Sequence, residues 1–336
     1  MKAALCRRYG APETVVIEDL PRPRPGSGEV LIAVAAAGLT SGDARIRAAQ
    51  APKGMGPLIR LAFGLTGPRH PVLGREYAGR VVETGADAGR FAPGDAVFGI
   101  TDGLRLGAHA EYLVVKESGL ILPRPDNLDE IHAAAFFFGG LTAADFLIDQ
   151  CALQPGERLL IVGATGAVGS AALQLARHIG AEVTALTSGA NLALARDLGA
   201  DVALDYRSGP VLGQYDVILD VPGLLPGAMA QLAPGGRLGL VTADLRGMLA
   251  AMLHPRRSGG RRLCAGIVKE TPQAMNRLLA YFHAGAYRPV IGGEFPLQEI
   301  AVAHAIAASG HKCGNLVITL AQDRASVEQD LRSCQP

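Results

Sequence analysis

The sequence predicts an α/β protein with two kinds of sheet, and three observations carry this. Between Glu157 and Thr242, short apolar runs alternate with segments whose apolar residues recur at helical spacing, the pattern of a parallel sheet with crossover helices. The first 120 or so residues instead hold short apolar runs broken by Gly and Pro clusters, which read as strands of a partly open barrel or sandwich. At 336 residues and 49% hydrophobic side chains, the chain is long enough for two domains and carries core material for both.

The elements follow in order. TVVIEDL (Thr14–Leu20) and GEVLIAVAAAGL (Gly28–Leu39) are the first strands, bounded by Pro and Gly. Ala51–His70 reads as a long apolar loop, and long loops in compact domains are commonly functional, so Leu58, Ile59, Leu61 and Phe63 are expected to wall a pocket. AGRVVETG and GDAVFGI are strands joined through the turn residues Phe91–Asp95, and Ala108–Val115 is another strand. ERLLIVG (Glu157–Gly163) is a buried strand. In the helix after it, Val168, Ala171, Ala172, Leu175, Ala176 and Ile179 make one apolar face, and Gly180 ends it. EVTALT, DVALDY, YDVILDV and GRLGLVT are further strands, with NLALARDLGA a short helix among them. A helix over Pro272–Ala284, a strand around PVIGGEFPL, a helix over Glu299–Ser309 and the strand GNLVITL complete the fold. Residues 321–336 read as a polar tail, and HPRRSGGRR (His254–Arg262) as a solvated basic loop or an anchor for an acidic substrate.

Composition excludes several functions. A net charge of +1 gives no drive toward nucleic acid or membrane surfaces, and 5% aromatic residues with no Trp make a poor base-stacking platform. The five cysteines, Cys6, Cys151, Cys264, Cys313 and Cys334, are scattered and form no C-x-x-C pair, which fits free thiols in a reducing compartment. The N-terminus MKAALCRRYG is no signal peptide, and no apolar run is long enough to span a membrane. A soluble cytoplasmic protein acting on a small molecule is expected.

The strongest local signal is LLIVGATGAVGSAALQLA. Ala164, Thr165, Gly166, Ala167, Val168 and Gly169 form a dinucleotide fingerprint with Ala at its first position, directly after a predicted strand and opening a predicted helix. Gly166 lets backbone approach a pyrophosphate, Gly169 lets helix and strand pack closely, and free helix N–H groups face the phosphates. An NAD site places Asp or Glu at the end of the second strand to bind the ribose hydroxyls. Here that position reads Thr187-Ser188-Gly189, so NADPH is the expected cofactor. Ser188, Asn191 and Tyr206 are candidate donors to its 2′-phosphate, with Arg207 nearby; simple packing is the alternative for Tyr206.

The order of GEVLIAVAAAGLTSGDARIR, HPVLGREYAGRVVETG, RFAPGDAVFG, GAHAEYLVV, AAAFFFGGLTAADFL, VGATGAVGSAALQLA, LGADVALDY and GHKCGNLVI resembles the medium-chain dehydrogenase/reductase superfamily. The chain is most similar to its zinc-independent quinone oxidoreductase-like branch. The resemblance implies a doubly wound parallel-sheet (Rossmann) cofactor domain over residues 123–286. It implies a partly open β-barrel-like, GroES-like catalytic domain from residues 1–122 and 287–336, with the active site in the cleft between the two. It places Thr142 and Asn315 near the nicotinamide, and Val221 and Thr242 among the cofactor-binding positions. It also implies a homodimer, with Arg261–Val268 as a sheet-edge strand.

Zinc-dependent members of that superfamily hold ligands at two positions that are Thr40 and Arg75 here. Arg has no lone pair for a metal, Thr is a poor zinc ligand, and the clustered cysteines of a structural zinc lobe are missing, so no metal is expected. Hydride transfer to a quinone or conjugated enone then leaves an oxyanion that hydrogen-bond donors must stabilise. Candidate catalytic residues are Ser41, Arg75 and Tyr77, with Arg47 in second rank. Asp43 is read as an organiser of Arg45, Arg47 or Arg75, and Arg75 with Glu76 as an ion pair. His109, His178, His304 and His311 are expected to be satisfied core or surface residues. The alternatives are an enoyl reductase for a bulky or carrier-bound substrate, and a non-catalytic NADPH-binding protein.

Overall fold

The computed structural model describes residues 1–51, 54–103, 105–211, 213–253 and 260–320. The tail 321–336 and residues 254–259 of the basic run lie outside the described residues. The chain divides into two compact units. One holds Met1–Ala51, Gly56–Phe137 and the chain from Ile291, and the other holds Phe138–Val290.

The first unit is built on β3 (Glu29–Leu39). Its continuous apolar run is buried on both faces, as expected of a central strand. It pairs antiparallel with β4 (Glu76–Thr84), β6 (Tyr112–Lys116) and β15 (Asn315–Thr319). β14 (Ile291–Pro296), β5 (Ala96–Ile100) and β7 (Ile121–Pro123) extend the sheet to the order β14-β15-β3-β4-β5-β7, while β1 (Lys2–Cys6) and β2 (Val15–Asp19) form a separate antiparallel ribbon. α1 (Ser41–Ala48), α2 (Gly56–Phe63), α3 (Glu130–Ala133) and α9 (Ile300–Ala308) complete it. Val30, Ile32, Val34, Leu39, Tyr77, Val81, Val97, Ile300, Ala303 and Ile318 share one core.

The second unit is a six-stranded parallel sheet in the order β10-β9-β8-β11-β12-β13. The strands are β8 (Arg158–Val162), β9 (Glu182–Thr187), β10 (Val202–Asp205), β11 (Tyr215–Asp220), β12 (Leu232–Leu240) and β13 (Arg262–Cys264). Between them and around them run α4 (Phe137–Ala144), which continues as a π-helical turn over Asp145–Gln150, then α5 (Ala167–Ile179), α6 (Leu192–Asp197), α7 (Leu245–Leu253) and α8 (Pro272–His283). The strand order reverses at β8 and β11, the switch point where open α/β sheets bind ligands at the carboxyl ends of their strands.

Four expectations need correction. Ala51–His70 is not all loop, because GPLIRLAF forms α2. The strand expected from Ala108 begins only at Tyr112, since His109 and Ala110 run beside β1 instead, with Ala110 bridging Ala3. α5 is buried all round over Ala167–Leu173, not along one stripe, because its Ala, Gly and Ser side chains let neighbours close in, while Ile179 is only half-buried. Of Arg261–Val268, only Arg262–Cys264 pairs as an edge strand.

Candidate functional site

In the second unit, β8 ends at Val162 and Gly163 turns the chain with a φ of +75°, a conformation that favours glycine. Gly166 caps α5. A methyl group on Gly169 would lie 2.2 Å from the Gly163 carbonyl oxygen and 2.6 Å from the Ala164 carbonyl carbon, whereas on Gly166 the nearest atom would be 3.6 Å away. Gly169 is therefore fixed by helix–strand packing, and Gly166 leaves open space before the N–H groups of the first turn, which have no intrahelical acceptor. That cradle fits a pyrophosphate. Thr165 is buried, its hydroxyl is 2.6 Å from that of Thr187, and it accepts a 3.2 Å hydrogen bond from Asn191 Nδ2. Asn191, expected to reach a phosphate, thus gives one amide hydrogen to the turn itself.

The end of β9 carries no carboxylate, as the sequence indicates, yet the fold delivers one from the next strand. Asp205 pairs in register with Thr187. Its Oδ2 lies 2.6 Å from where a methyl on Gly189 would sit, and its Oδ1 accepts from the Arg207 amide at 3.0 Å. Tyr206 is 44% exposed with the Arg207 guanidinium 5.4 Å from its ring centre, so both remain available to a ligand. Ser188 makes no side-chain cap to the turn that follows it. Val221 follows β11 and its amide donates to Val162 at 3.3 Å; Thr242 lies two residues beyond β12. Asp220, buried, accepts from the amides of Gly223, Leu224 and Leu225 at 2.9, 3.2 and 2.9 Å and holds the loop after β11. Sequence reading missed it, because a carboxylate satisfied by backbone amides leaves no residue-type signature. Thr142 lies on α4, where its hydroxyl donates to Phe138 at 2.7 Å.

In the first unit, Thr40 is the N-cap of α1. Its Oγ1 accepts from the Gly42 and Asp43 amides, and Asp43 accepts from the Thr40 amide, a reciprocal capping box. Asp43 Oδ1 also accepts from the Gly74 amide at 3.1 Å. Asp43 thus organises backbone and not an arginine, a correction to the expectation. Ser41 is the first residue of α1 and half-buried. Arg75 Nη2 donates to the Thr101 carbonyl at 3.1 Å, while Glu76 accepts from the Phe137 amide at 2.7 Å. Tyr77 does not suit proton donation. It is fully buried in the core of this unit, its hydroxyl has no hydrogen-bond partner among the described residues, and burial pushes its phenol well above the ordinary range. Arg47 is also buried, and it donates to the Gly10 carbonyl. Asn315 opens β15 and is buried.

Two groups were missed or misread. Burial lowers the Lys312 ammonium to about 8, against the opposing charges of Glu76 and Asp43, and its Nζ donates to Gly314 at 3.3 Å. His304 is fully buried and neither ring nitrogen has a partner among the described residues, against the expectation of a satisfied histidine; His109, its ring centre 6.2 Å away, places Nε2 3.0 Å from the Gly38 carbonyl. Of the expected pocket wall, Phe63 lines a small pocket with Ala62, Pro68, Arg69, His70 and Leu106, whereas Leu61 is 65% exposed. The side chains of Leu58 and Ile59 lie outside the described residues.

Comparison with known proteins fits this geometry. The alcohol dehydrogenase GroES-like domain family matches residues 26–126, and the zinc-binding dehydrogenase family matches residues 198–318. The quinone oxidoreductase of Coxiella burnetii superposes with a TM-score of 0.84 at 26% identity, over 96% of this chain and 99% of that one. The chain belongs to the medium-chain dehydrogenase/reductase superfamily, in its quinone oxidoreductase-like branch. An NADPH-dependent alkenal/one oxidoreductase of Arabidopsis thaliana is 29% identical over 95% of this chain and 79% of its own length. A spectinabilin polyketide synthase system protein, NorB of Streptomyces orinoci, is 33% identical over 87% of this chain, which spans only 13% of that protein. As a medium-chain dehydrogenase/reductase the chain is a pyridine-nucleotide oxidoreductase. Its residues do not fit the zinc that metal-using members of the superfamily hold. Thr40 is committed to capping α1 and Arg75 presents only a cationic donor. No helix among the described residues is long and apolar enough to cross a membrane.

Proposed function

We propose that the protein is a zinc-independent, NADPH-dependent reductase that sends a hydride to a quinone or an α,β-unsaturated carbonyl. The observation that carries this is the β8–α5 turn, where Gly169 is held by packing and Gly166 is left open. In this reading Ala164 to Gly169 hold the pyrophosphate. Ser188, Asn191, Tyr206 and Arg207 serve the 2′-phosphate end, and Val221, Thr242, Thr142 and Asn315 line the nicotinamide end. NADPH supplies the hydride when bound. The chain's own task is to orient the acceptor, exclude water and supply a donor to the oxyanion. Ser41, Arg75 and Lys312 are the donors proposed, Lys312 because its lowered ionisation keeps a proton ready for transfer near neutral pH. Asp43 supports them by fixing the start of α1. The names of the Arabidopsis and Coxiella proteins support the acceptor class. We further propose a cytoplasmic homodimer that pairs through β13.

The test is consumption of NADPH and of NADH, side by side, with an ortho-quinone and with a simple 2-enone. Turnover faster with NADPH is expected. Micromolar NADPH binding without turnover on a broad panel would favour a non-catalytic nucleotide-binding protein, and stoichiometric zinc by elemental analysis would refute the metal-free reading. A second reading, reduction of a carrier-bound enoyl thioester, rests on the likeness to the NorB segment, and turnover restricted to acyl-thioester substrates would favour it.

A further inference from the structure

Two of the five cysteines, distant in sequence, meet in the second unit, away from the glycine turn. Cys264 closes β13 and pairs in register with Gly239 of β12. Cys151 follows the π-helical turn, and its Sγ packs on that same glycine, 3.2 Å from where a methyl on Gly239 would sit. The absent side chain at position 239 leaves room for the Cys151 sulfur beside the strand neighbour of Cys264. Cys264 Sγ donates to the carbonyl oxygen of Gln150, the residue before Cys151, at 3.4 Å, and each thiol shifts the ionisation of the other. Two guanidinium groups flank the pair. Arg262 donates to the same Gln150 carbonyl, and Arg237 Nε donates to the Cys151 carbonyl at 2.7 Å while its Nη atoms form a two-point ion pair with Glu157, each at 2.7 Å.

We propose that Cys151 and Cys264 form an oxidisable dithiol site that a peroxide converts to a disulfide joining β13 to the end of the π-helical turn. Positive charge on both sides and a neighbouring S–H favour a thiolate here. The hydrogen bond from Cys151, with help from Arg262 and Arg237, holds the Cys264 thiol down at about 7 against the opposing effect of burial, and that same bond with burial pushes Cys151 up. Cys264 is the attacking group because it is the more accessible, 7% exposed against 0% for Cys151, and shares the Gln150 carbonyl with the Arg262 guanidinium. Its thiolate attacks one peroxide oxygen, the O–O bond breaks, and the departing hydroxide takes a proton to become water, leaving a sulfenic acid on Cys264. The Cys151 sulfur then attacks the sulfenic sulfur. The S–S bond forms, the S–O bond breaks, and hydroxide leaves with the Cys151 proton as a second water. Two thiols are oxidised by two electrons and the peroxide is reduced to two waters.

The experiment treats the full chain with a small excess of hydrogen peroxide, counts thiols after denaturation, and maps peptides without reduction. The count should fall from the five of the sequence to three, with one cross-linked peptide pair holding Cys151 and Cys264, restored by dithiothreitol. In Cys151→Ser, oxidation of Cys264 should stop at a sulfenic acid that dimedone traps; in Cys264→Ser, Cys151 should stay unmodified. If either variant fails to fold, the rate of iodoacetamide labelling in the wild-type chain decides, with Cys264 expected to label at least about tenfold faster at pH 7.5 than Cys6 or Cys313. A cross-link through any other cysteine, irreversible loss without a cross-link, or a Cys264 no faster than Cys6 and Cys313 would overturn the proposal.

Discussion

His304 gives the sharpest quantitative prediction. Its imidazole is buried in the first unit with neither nitrogen bonded among the described residues, and burial, with the adjacent His109, lowers it to about 3. Asp43 opposes this shift and Arg47 adds to it. His109 moves down as well, chiefly by burial. The folded values lie below that of a free histidine, so between those limits the unfolded chain binds more protons than the folded one. Stability is therefore complete above about pH 6.5 and is lost as pH falls below it. For His304 alone, moving from pH 7 to pH 5 costs about 2 kcal/mol, taking about 6.5 for the unfolded chain and about 3 for the folded one. His304→Leu removes that dependence and leaves the carboxylates and His109 to titrate. Urea unfolding of both proteins at pH 7 and pH 5 measures it. The wild type should lose about 2 kcal/mol more than the variant between the two pH values. Equal losses would mean that His304 titrates in the folded chain much as it does in the unfolded one, and would refute the reasoning.

Four further outcomes are expected. Gly169→Ala drives a methyl into the Gly163 carbonyl, which is backbone and cannot swing away; it should cost about 1–3 kcal/mol in unfolding free energy and abolish NADPH binding by calorimetry. Asp205→Asn removes a carboxylate beside Gly189, so the ratio of NADP to NAD affinity by calorimetry should rise at least about tenfold, with like-charge repulsion as the cause. Thr40→Ala breaks the capping box and should lower stability by about 1 kcal/mol, seen as an earlier urea midpoint. Lys312→Met should cut kcat on an enone by at least about tenfold, and the wild-type rate should fall as pH rises through about 8, a limb that Lys312→Arg shifts to higher pH.

Much of the fold was legible in the residue order because its signals are local. The run over Gly28–Leu39 is apolar without alternation, which a strand buried on both faces requires. The strands around the glycine turn, α5 and its Gly180 end follow from periodicity and from a left-handed cap, observed at φ +89°. Where the signal was composition without period, the reading slipped. The 51–70 stretch looked like a loop because its Gly and Pro residues flank, and so conceal, one short helix.

The sequence by itself pointed to a strand–turn–helix cradle over Ala164 to Gly169, since the spacing of Gly166 and Gly169 asks for close backbone approach; that Gly163 makes the left-handed turn came from the structure. It also determined that positions 40 and 75 carry no zinc ligand, because that depends on residue type alone. Only the tertiary structure decided what the other polar groups do. Asp43 reached the distant amide of Gly74, Tyr77 went into the core, Asp205 came to the edge of β9, and Cys151 met Cys264 over Gly239. The physical reason is common to all four. A polar side chain's partner is set by which distant backbone or side chain packs against it, and that is fixed by strand order and register, which local pattern does not encode.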